Sequence, residues 1–196
     1  VGVEVGIPNF ANLFMTSPEI NIDPTIAGSV VGTYWFLMMI GRLCGASIGA
    51  KVSSRAMLTV VSTVGIVLVL GAIFCADNIL VNMPVFKSDI SFGFAQVPVN
   101  VMLLILCGLC TSVMWGGIFN LAVEGLGKYT AAASGLFMVM VCGGGILPLI
   151  QGGVADFAGF LNSYWVIALG LAYILFYAAI GSKNVNTDIP TDDYEA

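Results

Sequence analysis

The sequence predicts an all-α membrane protein of six transmembrane helices. Three observations carry that reading. The chain has 196 residues, of which 59% are hydrophobic and only 9% charged, whereas soluble domains are nearer one-quarter charged. Mean hydropathy is +1.01. Apolar runs of about 20 residues, the length that crosses a bilayer as a helix, recur along it between short polar breaks.

Taken in order, the spans fall at about 1–17, 25–50, 56–76, 96–122, 131–153 and 161–181. The first residue is Val and an apolar helix starts at once with no basic region before it, so the first span reads as clipped by truncation rather than as a signal peptide. The longest connection, Asp77 to Ala95, holds Asn78, Asn82, Pro84, Lys87 and Asp89 and is expected to be a solvated loop. The domain division is a six-helix bundle over 1–182 and a short cytoplasmic tail over 183–196.

Lys and Arg set the orientation. Lys51 and Arg55 follow the second span, Lys128 the fourth and Lys183 the sixth, whereas only Lys87 lies on the other side, with Glu19, Asp23, Asp77, Asp89 and Asp156. The loops after even-numbered spans, and the C-terminus, are therefore expected in the cytoplasm. The net charge of −5 owes much to the tail, at Asp188, Asp192, Asp193 and Glu195. No basic patch points to nucleic acid.

The second span carries Gly28-xxx-Gly32 and Gly41-xxx-Gly45-xxx-Gly49, a spacing that lets two helix backbones approach closely. Cys107-x-x-Cys110 matches a redox spacing, but it lies inside an apolar span in a chain without His, so it reads as packing; no metal site is expected. The segment GLGKYT lacks the spacing of a phosphate-binding loop, because Tyr129 follows Lys128 and no strand precedes it. No nucleophile–base constellation appears, so the chain is not read as an enzyme and needs no cofactor.

Glu4 is the only acidic residue placed within a span. A carboxyl inside a bilayer must find a partner, reach water or stay protonated, which makes Glu4 a functional candidate; the alternative is a position near the cytoplasmic end. Pro8 lacks an N–H and crowds the carbonyl four residues back, that of Glu4, so the helix should open there. Asn9 and Asn12 follow within about a turn and offer the mixed donors and acceptors that hydroxylated ligands need. Helix-to-helix bonding is their other reading.

Aromatic rings suit the same ligand class, since the CH face of a pyranose stacks on them. Tyr34 and Trp35 lie mid-span, and Trp115 lies deep in the fourth span beside Gly116-Gly117, with Asn100 and Asn120 on the same span. Tyr164 and Trp165 read instead as interfacial anchors, as does Tyr173 in part. Arg42 either snorkels to the cytoplasmic surface or holds a gate by pairing with Glu124 or with a group outside this chain. In the fifth span, Gly143-Gly144-Gly145 and Pro148 are helix breakers inside an apolar run, tolerated where the freed backbone faces protein or water. Pro148 should free the carbonyl of Gly144 and give that helix a hinge.

Three stretches, GRLCGASIGAKVSSRAML (41–58), WGGIFNLAVEGLGKYT (115–130) and GGGILPLIQGGVAD (143–156), resemble the sugar:proton symporters of the major facilitator superfamily, and among them the fucose and glucose/galactose permeases. GVEVGI from Gly2 resembles the start of the seventh helix of that family. The resemblance covers nearly the whole chain and implies the C-terminal half of a twelve-helix transporter, with a hexose site near the midplane and alternating access between two halves. It implies the inner membrane, a proton as coupling ion and, as partner, an N-terminal six-helix half that holds the coupling carboxylates. Relatives often carry Pro and a polar residue after the Trp or Phe of the tenth helix; here Gly116-Gly117 stands there, which puts the kink of that helix in doubt. The competing functions are a non-transporting sugar sensor on the same scaffold and a transporter of a non-sugar solute.

Overall fold

The computed structural model describes residues 1–75 and 78–183. Asp77 and the acidic tail from residue 184, both used above for orientation and charge, lie outside the described residues. The helices are α1 (Gly2–Thr16), α2 (Pro24–Gly49), α3 (Ser54–Phe74), α4 (Val99–Thr111), α5 (Met114–Val123), α6 (Thr130–Val139), α7 (Gly143–Ala158) and α8 (Phe160–Phe176), with a hairpin of β1 (Leu80–Phe86) and β2 (Phe92–Pro98) before α4. Five helical stretches among the described residues are long and apolar enough to cross a membrane: Pro24–Gly49, Ser54–Phe74, Val99–Val123, Gly127–Ala158 and Phe160–Gly181. The first expected span, α1, has 15 residues, short of a crossing on its own.

Local chemistry explains where helices start. Asp23 caps α2, its carboxylate accepting from the N–H of Thr25 at 2.8 Å, and Pro24 occupies the first turn, where no N–H is needed. Ser53 caps α3 by accepting from the N–H of Ala56. Gly159, at φ +89°, separates α7 from α8 in a backbone conformation that side chains disfavour.

The connection expected to be a solvated loop is instead an antiparallel hairpin, paired from Leu80↔Pro98 to Phe86↔Phe92. Its alternation explains why: Met83, Val85 and Val97 point to the bundle and are buried, while Leu80, Asn82, Pro84, Phe94 and Gln96 are exposed and Phe92 lies edge-on to Phe36 of α2. Period-two patterning was masked there by the turn-forming residues.

The fourth span is not continuous. It breaks between Thr111 and Met114, where the Ser112 hydroxyl donates to the carbonyl of Leu109 at 2.6 Å. Side-chain hydroxyls that compete for helix carbonyls bend helices. The interruption thus arises without Pro, and it precedes Trp115 rather than following it. In the fifth span the irregularity is one 3₁₀ turn, Met140–Cys142, and α7 runs unbroken through the glycines and Pro148.

The core lies between α1, α2, α3, α4 and α8, and α6 contributes no buried residue. Glycine permits the tightest contact, α2 on the kink: a Cβ on Gly41 would meet the Ser112 side chain, and one on Gly45 the Val113 side chain, while Gly28 faces open space. Cys107 and Cys110 are buried free thiols, with Cys107 bonded to the carbonyl of Leu103, which fits their packing role. At the end of the bundle that carries Lys51, Arg55 donates to the carbonyl of Ser182 at 3.3 Å, tying the second connection to the close of the last helix.

Candidate functional site

Glu4 and Arg42 meet across α1 and α2. The Arg42 guanidinium donates to the Glu4 carboxylate at 3.2 Å and also reaches the Met38 sulfur at 3.6 Å. The Glu4 side chain is only 17% exposed and that of Arg42 58%, so the acid is sheltered and the base stands in the opening. Arg42 therefore neither snorkels free nor pairs with Glu124. Its partner is four positions before Pro8, on a helix whose sequence gives no cue to which neighbour it packs against.

Height in the bundle follows from hydrogen bonds. Tyr34 Oη donates to the Glu4 carbonyl at 3.0 Å and shares a bond with Thr111 Oγ1 at 2.9 Å. Tyr34 lies midway along α2, and its carbonyl faces Gly108 of α4, where a Cβ would come within 2.6 Å. The Glu4 carbonyl is thus level with the middle of α2 and with the end of α4, although Glu4 is only three residues into α1. Its carboxylate reaches further along α2, to Arg42.

Two cavities meet at this pair. A cavity of about 710 Å³ is lined by Glu4, Arg42, Ser112, Trp115, Gly116 and Asn120, among others. A smaller apolar one of about 180 Å³ also borders Glu4 and Trp115 and continues along Met114, Ile118 and Phe137. Trp115 stacks on Phe119 with ring centres 5.5 Å apart, and Phe137 meets both rings edge-on. Phe119 and Phe137 escaped the sequence reading; the i, i+4 spacing of Trp115 and Phe119 was the available signal. Asn120 Nδ2 donates to Ser54 Oγ at 3.5 Å at the far wall.

The other sequence candidates lie elsewhere. Tyr34 is fully buried with its hydroxyl engaged, so it presents no ring face to a ligand in this arrangement. Asn100 is buried in the first turn of α4, its Oδ1 accepting from the N–H of Val101. Asn9 is exposed and Asn12 half-buried on α1, and neither borders the two cavities. Pro8 is buried, and its predicted effect has a recipient: Tyr34 supplies the donor that the Glu4 carbonyl lost. Gly144 packs against the start of α1, whereas Gly143 and Gly145 face open space. Tyr164 is not an interfacial anchor; it is fully buried and donates to the carbonyl of Ile7 at 2.7 Å. Trp165, half in contact with Phe74, fits the anchor role better.

Several helices of membrane-crossing length, with a charged pair and an aromatic cluster beside a cavity, define a polytopic membrane protein. By sequence the chain is similar to proteins described as glucose/galactose transporters. It is 29% identical over 185 residues to the "Glucose/galactose transporter" of Brucella abortus, covering 94% of this chain and 40% of that protein. It is 31% identical over 188 residues to a Helicobacter pylori protein provisionally described as a glucose/galactose transporter, covering 93% of this chain and 41% of the other. Over 92 residues, 46% of this chain and 21% of its relative, it is 33% identical to the L-fucose-proton symporter of Escherichia coli. This is the sugar-symporter family that the motifs at 41–58, 115–130 and 143–156 resemble. The chain spans about two-fifths of the length of the glucose/galactose relatives. No family model matches it, and no solved structure matches it.

Proposed function

We propose that this chain is the C-terminal six-helix half of a major facilitator hexose:proton symporter, working by alternating access against an N-terminal half. α1 supplies the first of the six passes in that reading, α4 with α5 one pass and α6 with α7 another. The single observation that carries it is the cavity of about 710 Å³ in which Glu4, Arg42, Trp115 and Asn120 converge. An ion pair and an amide satisfy hydroxyls, and the indole offers the apolar face that a pyranose needs. The relatives' names, glucose/galactose transporter and L-fucose-proton symporter, support a hexose as the substrate class.

The Arg42–Glu4 pair keeps two charges compatible with the bilayer interior, since each neutralises the other beside an aqueous opening. It is a reversible link between α1 and α2, and a hexose hydroxyl competing for the carboxylate would loosen it. Proton coupling belongs to carboxylates of the other half. Lys51, Arg55, Lys128 and Lys183 put the even connections and the C-terminus in the cytoplasm of an inner-membrane protein. Gly144 and Pro148 serve as the hinge of α7.

The test is uptake of labelled glucose, galactose or fucose by the complete polypeptide in energised membrane vesicles, abolished by a protonophore. Hexose uptake that persists under the protonophore and follows sodium refutes the proton claim. Hexose bound without counterflow makes the protein a sensor, and absence of any hexose binding refutes the substrate class.

A further inference from the structure

The β1–β2 hairpin reaches deep into the bundle's height. Phe86 stacks on Phe36 with ring centres 4.8 Å apart, and the Phe86 N–H donates to Thr33 Oγ1 at 2.9 Å. Phe36 is the thirteenth of the 26 residues of α2. At 1.5 Å per residue the hairpin tip is therefore about 18 Å below the start of that helix. The base of the hairpin, where the Val99 N–H donates to the Ile79 carbonyl, adjoins the start of α4. The hairpin thus descends beside α2 from the outer end toward mid-depth.

Two features of that position are incompatible with lipid. The bonds Val99 to Ile79 and Lys87 to Ser91 mark the bonded positions of the ladder, so the alternate residues aim their backbone groups outward. On β1 that edge meets α2 through Phe86, and Pro84 has no N–H to leave unpaired. On β2 the edge residues Phe92, Phe94 and Gln96 have no backbone partner among the described residues. Open sheet edges do not face hydrocarbon, where each unpaired group costs several kcal/mol. The turn also carries Lys87 and Asp89, both exposed, at the level of the middle of α2. Charges at such a depth face water or protein.

We infer that the hairpin is a re-entrant wall of the outer half of the aqueous pathway, with the free edge of β2 toward the water. On the exposed face of the hairpin Asn82 and Gln96 stand opposite one another, and Phe94 is the next residue of β2 on that face. Two amides beside a phenyl ring make a contact suited to a hydroxylated solute with an apolar CH face, passed on its way to the Glu4–Trp115 cavity. That last step rests on the transport reading; the position of the wall does not.

The experiment uses the complete membrane-inserted polypeptide with Cys44, Cys75, Cys107, Cys110 and Cys142 replaced by Ser or Ala. A Phe36→Cys/Phe86→Cys pair should form a disulfide under mild oxidation; failure to cross-link, in protein that remains monodisperse, overturns the depth. Phe94→Cys and Gln96→Cys should react with a membrane-impermeant methanethiosulfonate added from outside, while Leu169→Cys on α8 should not. Reaction only with a lipid-soluble maleimide, or with neither reagent, overturns the water-facing edge. Phe92→Cys serves in place of either variant that fails to express. Galactose should slow modification of Gln96→Cys; an unchanged rate removes the amide pair from the solute's route. Labelling that holds while hexose uptake fails refutes the transport reading alone.

Discussion

Tyr34 Oη lies 3.0 Å from the carbonyl of Glu4, the group that Pro8 leaves without its helical donor. One side chain of α2 thereby repairs a backbone defect in α1 at the level of the charged pair. Tyr34→Phe should lower stability by about 1–3 kcal/mol, the cost of a buried acceptor left unpaired. The cost should shrink in a Pro8→Ala background, where residue 8 regains an N–H for the same carbonyl. A thermal-shift double-mutant cycle measures the coupling; additive effects would show that the two residues act separately.

The Glu4–Arg42 pair and Trp115 border one cavity, and each should report on ligand affinity. A lost hydrogen bond to a charged group is worth about 1.5–3 kcal/mol, so Glu4→Gln should weaken hexose binding by about ten-fold or more. Trp115→Ala removes the stacking face and collapses its contacts with Phe119 and Phe137. Tryptophan-fluorescence or calorimetric titration of the complete protein decides. Unchanged affinity in both variants places the sugar elsewhere.

Close packing of α2 on the α4–α5 kink should be intolerant of a single methyl group. Gly41→Ala and Gly45→Ala face Ser112 and Val113 and should each cost about 1–3 kcal/mol of stability. Gly28→Ala faces open space and should be neutral or slightly stabilising through helix propensity. Val113→Ala should restore much of the loss in Gly45→Ala. Melting temperatures in detergent compare the four variants directly.

Acid should weaken the start of α2. The Thr25 N–H bonded to Asp23 holds that carboxyl below the usual carboxylate range. A group whose folded pKa is depressed stabilises the fold above its unfolded pKa, and that contribution is lost as pH falls through the folded value. The stability difference between wild type and Asp23→Ala should therefore be constant near neutral pH and narrow only below the ordinary range of an aspartate. A difference that narrows between pH 5 and 7 would contradict this, because a free aspartate titrates at about 3.9.

Legibility differed by residue. The freed Glu4 carbonyl could be foreseen because it follows from one ring and one missing N–H at Pro8, and the packing of Gly41 and Gly45 because a helical repeat puts them on one face. Arg42 could not be paired, since Glu4 and Glu124 are both plausible by sequence distance and only helix packing separates them. Tyr34 and Asn100 read as cavity residues from their polarity, yet the rotation of α2 and α4 turns them into the core. The hairpin escaped because Asn, Pro and Lys between residues 78 and 89 signal a loop, and its period-two pattern is short.

By itself the sequence determined that the chain lives in a membrane, about where its helices run, and which sugar-transporter family it is related to. Those properties are sums along the chain: apolar length, charge per loop, and motifs carried in continuous segments. The tertiary structure decided which carboxylate meets Arg42, which aromatic ring borders the cavity, where the fourth span is interrupted and the fifth tightens into a 3₁₀ turn, and how far the hairpin descends. Each of these depends on how one helix is rotated and set in height against another. That choice is made by many small packing contacts between distant residues, and no local pattern encodes it.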